Sequence, residues 1–156
     1  DFKSWIFRFV SILGPKYSHG HVYDFVKQLL KNKNKLTILG NGKQKKSYLH
    51  VNDCLDAVLI SIKKSKNNIN IFNLGHDEYI NVNQSVRNIT KFMNCKPILS
   101  YTGGNSGWIG DMPFVFLNTN KIKKETGWKP KINIEDSIND TVNWLLKNKW
   151  IFKNRK

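Results

Sequence analysis

Arginine is almost missing from this sequence, with 3 residues against 23 lysines in a chain of 156 whose formal net charge is +15. A guanidinium offers the planar fork favoured for phosphate and base recognition, which an ammonium lacks, so the scarcity argues against reading the charge as a nucleic-acid footprint. Asparagine, at 20 residues, and isoleucine are inflated alongside lysine. An AT-rich coding bias raises all three together, and most of the charge reads as compositional drift. Cysteine is equally sparse: Cys54 in a helical pattern and Cys95 in a polar turn form neither a disulfide framework nor a metal-ligand spacing. That excludes a stapled secreted scaffold and a metal site, and fits a reducing, cytoplasmic setting. No apolar run nears the roughly 20 residues that cross a bilayer, so no membrane partner is expected. The start, Asp1-Phe2-Lys3-Ser4-Trp5, carries neither an initiating Met nor a signal-peptide pattern, and reads as the interior of a longer protein. Internal repeats and composition shifts are absent too, so residues 1–156 read as one unit.

What is present is organised around Gly40 to Asp53. Gly40 and Gly42 supply a turn that tolerates positive φ, with strand-like runs before it (Leu36 to Leu39) and after it (Ser47 to Val51). Lys43, Lys45 and Lys46, beside Gln44, make this turn cationic and suited to a diphosphate, or else simply a solvated lysine-rich turn. Asn52 or Asp53 is placed to cap a helix whose apolar positions Leu55, Val58, Leu59 and Ile62 recur at helical spacing.

Taken in order, Ser4 to Ile12 is apolar on both parities except at Arg8, the pattern of a central strand buried on both faces of a parallel sheet. Leu13-Gly14-Pro15 ends it. Ser11 to His21 becomes a candidate site wall at the strand's carboxyl end, where open α/β sheets place ligands. The helix that follows carries Val22, Phe25, Val26, Leu29 and Leu30 on one face. Ile69 to Gly75 repeats the doubly buried strand pattern, Asn81 caps a helix bearing Val82, Val86, Ile89 and Met93, and Pro97 to Tyr101 is a short strand. Thr102 to Pro113 packs four glycines around Trp108 and Asp111 and reads as a lip over a pocket. A short helix over 120–126, a Gly127-Trp128-Lys129-Pro130 stop and a helix bearing Ile134, Ile138, Val142 and Leu145 follow, and the last six residues read as a frayed basic tail. The class is α/β, with no Gly-rich nucleotide loop.

Arg8…Gly14-Pro15, Gly40-Asn41-Gly42-Lys43-Gln44, Tyr48-Leu49-His50-Val51-Asn52-Asp53, Phe72-Asn73-Leu74-Gly75, Gly110-Asp111-Met112-Pro113 and Gly127-Trp128-Lys129-Pro130 occur in this order. Together they resemble the carboxyl-terminal half of the extended short-chain dehydrogenase/reductases, most closely nucleotide-sugar epimerases and dehydratases of the UDP-glucose 4-epimerase type. The resemblance implies the last Rossmann strands (about 4–12 and 69–75) plus a small α/β substrate lobe, without the amino-terminal half that holds NAD and the Tyr-x-x-x-Lys pair. Tyr23 and Lys27 fit that pattern, yet they fall on the substrate-lobe helix, and no catalytic residue is assigned.

Carried over by position, the resemblance implies that Phe9 meets the nicotinamide end of NAD and that Ser11 stands where epimerases keep a substrate-binding Asn. His21, with Val22 beside it, approaches the sugar diphosphate or is a surface histidine. Thr37 and Leu39 bracket a uracil base or belong to the core. Lys46 replaces the diphosphate-binding Arg, and Trp108 stands where many epimerases have a second one. Trp108 either stacks on a base or sugar or plugs the lobe interface. Ser106 replaces the Arg of a related lip, Asp111 pins the lip through backbone hydrogen bonds, and Asn118 stands in an Asp position. The implied enzyme is an NAD-dependent nucleotide-sugar epimerase, or a 4,6-dehydratase or decarboxylase of the same family, homodimeric as the whole protein. The isolated chain is expected to be catalytically silent and to self-associate. The competing readings are a lysine-rich nucleic-acid-binding module, with Lys43, Lys45 and Lys46 on phosphates and Trp108 on bases, and a structural domain that keeps the fold without the ligand.

Overall fold

The computed structural model describes residues 2–153. Its elements run β1 (Ser4–Phe9), β2 (Ser11–Leu13), α1 (His21–Lys31), β3 (Lys35–Ile38), β4 (Lys45–Lys46), β5 (Tyr48–His50), α2 (Val51–Lys64) and β6 (Ile69–Leu74). Then come β7 (Ile80–Asn81), α3 (Val82–Phe92), β8 (Ile98–Tyr101), β9 (Phe114–Val115), α4 (Asn120–Thr126), α5 (Ile134–Lys147) and a 3-10 helix at Lys149–Phe152.

The described strands form four small sheets. β1 runs parallel to β6, from Ser4 opposite Ile69 to Phe9 opposite Leu74; β2 pairs with β5 and β3 with β8, both parallel. β4 lies between antiparallel β7 and parallel β9. The stretch expected as one central strand over 4–12 therefore divides at Val10, its halves following different partners. β1 is not buried on both faces: Ile6 and Phe9 are half exposed, and β6 is its one ladder partner among the described residues. Two-sided burial requires a layer on each face, and the described residues supply one, from α2.

Two apolar cores result. One joins Val22, Phe25, Val26 and Leu29 of α1, Val86 and Ile89 of α3, Leu36 and Ile38 of β3, and Ile134, Ile138, Val142 and Leu145 of α5. The other gathers Leu49, Phe72 and Leu74 on the strands and Val10 between β1 and β2 with Ala57, Ile122 and Trp128. Each fully buried Leu or Ile contributes about 1.5–3 kcal/mol. α3 starts at a capping box in which Asn81 Oδ1 accepts from Gln84 N while Gln84 Oε1 accepts from Asn81 N, each at 2.8 Å. α4 ends on Gly127 at φ 73°, a left-handed turn that glycine adopts without penalty.

Four details differ from the sequence expectation. α2 is capped by His50, whose Nδ1 accepts from Asn52 N at 3.1 Å. Asp53 is instead buried, its Oδ2 accepting the N–H groups of Lys131 and Ile132 at 3.0 and 2.9 Å. Leu55, Leu59 and Ile62 of α2 face outward while Ala57 and Ser61 face the sheet, because small side chains let the helix approach it closely. In α1 Leu30 is exposed and Tyr23 is buried. The tail does not fray from residue 151: Ile151 is buried in the 3-10 turn and Phe152 lies 4.8 Å from the Tyr23 ring, while residues 154–156 lie outside the described residues.

Candidate functional site

A cavity of about 630 Å³ opens between β2, α1, β3, the β4 turn and the lip. Ser11 sits at the start of β2, and the loop after that strand brings Tyr17 and Gly20 to the same wall. α1 contributes His21 from its first turn and Gln28 from farther along; β3 and its end contribute Thr37 and Leu39. Lys46 on β4 and Tyr48 on β5 form the floor, with Gln44 before them, and Gly107, Trp108 and Asp111 form the lip. Alternation along the strand decides which lysine enters. Lys46 lines the cavity, whereas Lys45 points away, its Nζ 5.5 Å from the Tyr79 ring.

The sequence placed Ser11, His21, Thr37, Leu39, Lys46 and Trp108 at one site, and the structure brings all six to this cavity. Phe9 and Val22 do not line it. Phe9 is half exposed on β1 with its ring 6.4 Å from that of Phe7, and Val22 is fully buried in the helical core. The one-residue step from His21 to Val22 rotates the second side chain about 100° round the helix axis, away from the wall. Tyr23, the expected stray match to the catalytic pattern, is a core residue whose hydroxyl donates to Ile151 O at 3.3 Å. Tyr17, Gln44 and Tyr48 were not singled out, although Tyr48 and Gln44 lie inside the quoted motifs and Tyr17 inside the expected wall.

The wall groups are engaged with one another. His21 Nε2 lies 2.7 Å from Ser85 Oγ and its Nδ1 3.4 Å from the Tyr48 hydroxyl. Burial, followed by the Lys46 charge, holds the His21 pKa at about 4, so the ring is neutral at pH 7. Burial also pushes the Tyr17 and Tyr48 hydroxyls well above the ordinary tyrosine range, with Asp24 adding to the first and then Tyr17 and Asp111 to the second. Neither tyrosine is a base at neutral pH.

Lys46 Nζ lies 2.5 Å from Asp111 Oδ1, whose partner oxygen accepts from Gly107 N at 3.0 Å. Burial raises the Asp111 carboxyl, and the hydrogen bonds from Lys46 and from the Gly107 and Met112 N–H groups outweigh it, leaving the pKa below the usual carboxylate value. Asp111 thus pins the lip through backbone bonds, as expected, and also through the floor lysine. Thr102 Oγ1 accepts from Gly40 N at 2.8 Å at one end of the lip, and Pro113 O accepts from Lys45 N at 2.8 Å at the other. Trp108 remains 64% exposed over the cavity mouth.

Residues 4–141 match the family described as GDP-mannose 4,6 dehydratase. The chain belongs to this family of NAD-dependent epimerases and dehydratases. It is similar to the bifunctional UDP-glucose 4-epimerase and UDP-xylose 4-epimerase 3 of Arabidopsis thaliana, at 29% identity over 74% of this chain and 33% of that one. To the dTDP-D-glucose 4,6-dehydratase of Mus musculus it is 28% identical over 96% of this chain and 42% of the relative. The crystal structure of UDP-glucose 4-epimerase with UDP-glucose from Thermotoga maritima superposes with a TM-score of 0.79 at 25% identity, covering 93% of this chain and 46% of that one. The chain spans less than half the length of these relatives. In family terms its fold is the carboxyl-terminal part of a Rossmann-type short-chain dehydrogenase/reductase.

Proposed function

We propose that this chain is the substrate-gripping part of an NAD-dependent nucleotide-sugar epimerase of the UDP-glucose 4-epimerase type. The observation that carries the reading is the convergence of Ser11, His21, Thr37, Leu39, Lys46 and Trp108 on one cavity. Leu39 and Trp108 offer apolar surface to a flat base, Lys46 offers charge to a diphosphate, and Ser11 and His21 offer polar contacts to a sugar. Holding the nucleotide at several points fixes the sugar's position, which is how binding energy at a remote group serves a reaction elsewhere on the substrate. A 4,6-dehydratase grips the same kind of substrate, and similarity to the mouse enzyme keeps that alternative.

NAD does not fit the residues present. The run with Gly-x-x-Gly-x-x-Gly spacing, Gly104 to Gly110, lies in the lip between β8 and β9 and leads into no helix N-terminus, and Phe9, the residue expected near the nicotinamide, stands on the open face of β1 outside the cavity. In this reading the redox chemistry belongs to residues beyond this chain, whose own part is binding and orientation. The test is thermal protection: UDP at a hundredfold excess over its Kd raises Tm by about 5–10 °C. Absence of protection by UDP or dTDP, together with steeply salt-dependent DNA binding, transfers the cavity to the nucleic-acid reading. The chain alone is expected to show no turnover of UDP-sugars in a coupled NADH assay, and steady turnover would overturn the reading.

A further inference from the structure

The two polar ends of the cavity are occupied by the chain's own groups. At the strand end, Thr37 N donates to Gln28 Oε1 at 3.0 Å and Gln28 Nε2 donates back to Thr37 O at 3.2 Å. A primary carboxamide thereby caps one backbone N–H and one C=O in a two-point bond. The edge of a nucleobase presents the same adjacent donor and acceptor. At the lip end, the Asp111 carboxylate sits on Lys46 Nζ at 2.5 Å, where a phosphate oxygen would make the same charge-assisted bond. The acidic wall residues Asp24 and Asp111 balance Lys27 and Lys46, so this cavity is neutral in a chain of net charge +15.

We propose that Gln28 and Asp111 are built-in surrogates for the two ends of the ligand, a nucleobase edge and a phosphate, and that a nucleotide binds by exchanging with both. This rests on the nucleotide reading of the cavity. It makes Gln28 and Asp111 residues that set affinity by competition: each holds its partner group in place and must yield it. The lip is built to release Asp111. Gly103, Gly104 and Gly110 hold it at φ of 82°, 80° and 91°, and a Cβ on Gly103 or Gly104 would meet nothing within 4 Å. Trp108, tied to Asp111 by the Asp111 N–H donating to Trp108 O at 3.0 Å, moves with the carboxylate. Exchange at Lys46 therefore repositions the indole over whatever has entered.

The two surrogates are separable because each competes with a different fragment of the ligand. Calorimetry of uridine, inorganic pyrophosphate and UDP is run against the wild type, Gln28→Ala, Asp111→Asn, Lys46→Met and the Lys46→Met/Asp111→Asn pair. Alanine favours the partly buried helix position of Gln28, and asparagine keeps an oxygen for the Gly107 N–H, so both variants are expected to fold as the wild type does by circular dichroism. Gln28→Ala tightens uridine about threefold and leaves pyrophosphate unmoved; Asp111→Asn tightens pyrophosphate about fivefold, leaves uridine unmoved and has no effect once Lys46 is methionine. UDP gains in both single variants. UDP binding to the wild type with no gain in either variant overturns the surrogates and leaves the nucleotide reading standing. The fragment gains without any advantage of UDP over pyrophosphate overturn the nucleotide reading and leave the surrogates.

Discussion

His21 stands 2.7 Å from Ser85 Oγ through Nε2 and 3.4 Å from the Tyr48 hydroxyl through Nδ1, so both nitrogens of a cavity-wall imidazole are engaged. Its folded pKa of about 4 lies below the ordinary 6.5. The unfolded chain takes up this proton near the ordinary value, whereas the folded chain resists it until the lower one. Stability from this group is therefore level above the ordinary pKa, falls as pH drops between the two values, and levels again below the folded pKa. The linkage limit is about 3 kcal/mol, and the partial exposure of the residue makes the realised loss smaller. In His21→Asn the curve of Tm against pH loses this leg; an unchanged acid slope in that variant removes His21 as its cause.

In the proposed reading Trp108 serves binding rather than the core. Its exposure of 64% means that Trp108→Ala leaves Tm within about 2 °C, since surface truncations away from packed features fall within about 0.5 kcal/mol. Loss of a base-stacking ring costs about 1–3 kcal/mol, so UDP affinity falls about fivefold or more while pyrophosphate affinity holds. Equal loss for both probes contradicts stacking and assigns Trp108 to the lip's shape instead.

The open face of β1 and the outward side of α2 expose Ile6, Phe9, Leu55, Leu59 and Ile62. Strand edges and apolar faces of this kind pair with further chain. Sedimentation of the isolated chain is expected to show concentration-dependent association, relieved by Ile6→Lys with Leu59→Lys and accompanied by unchanged UDP affinity, because neither residue lines the cavity. A monomer at every concentration overturns this.

Local rules were legible where one residue type settles one backbone feature. Asn81 announced the start of α3, Gly127 ended α4, and the four apolar residues of α5 found the core as their spacing indicated. The face of α2 was not legible. Periodicity identifies an amphipathic helix, but which side meets the sheet depends on how close the backbones come, and Ala57 and Ser61 won that position over Leu55 and Leu59. The cap at His50 was hidden for a related reason: an imidazole caps only if the turn aims Nδ1 at the helix N-terminus. At the site, six residues came from positional likeness to a known family, while the Lys46 to Asp111 and Gln28 to Thr37 bonds are tertiary facts joining positions 65 and 9 residues apart. Val22 shows the limit of carrying a position over, since its neighbour His21 reaches the wall and it does not.

α5 lends no side chain to the cavity, yet it sets where one wall stands. Thr141 Oγ1 accepts from Gly14 N at 2.7 Å, just past the strand that carries Ser11, and Asp140 faces His50 Nε2 at 3.1 Å beside Tyr48 and Leu49. α5 thus works as a buttress. Drift in its sequence would be transmitted to the cavity through Gly14 and His50, so a helix that lines no part of the cavity is among those least free to change.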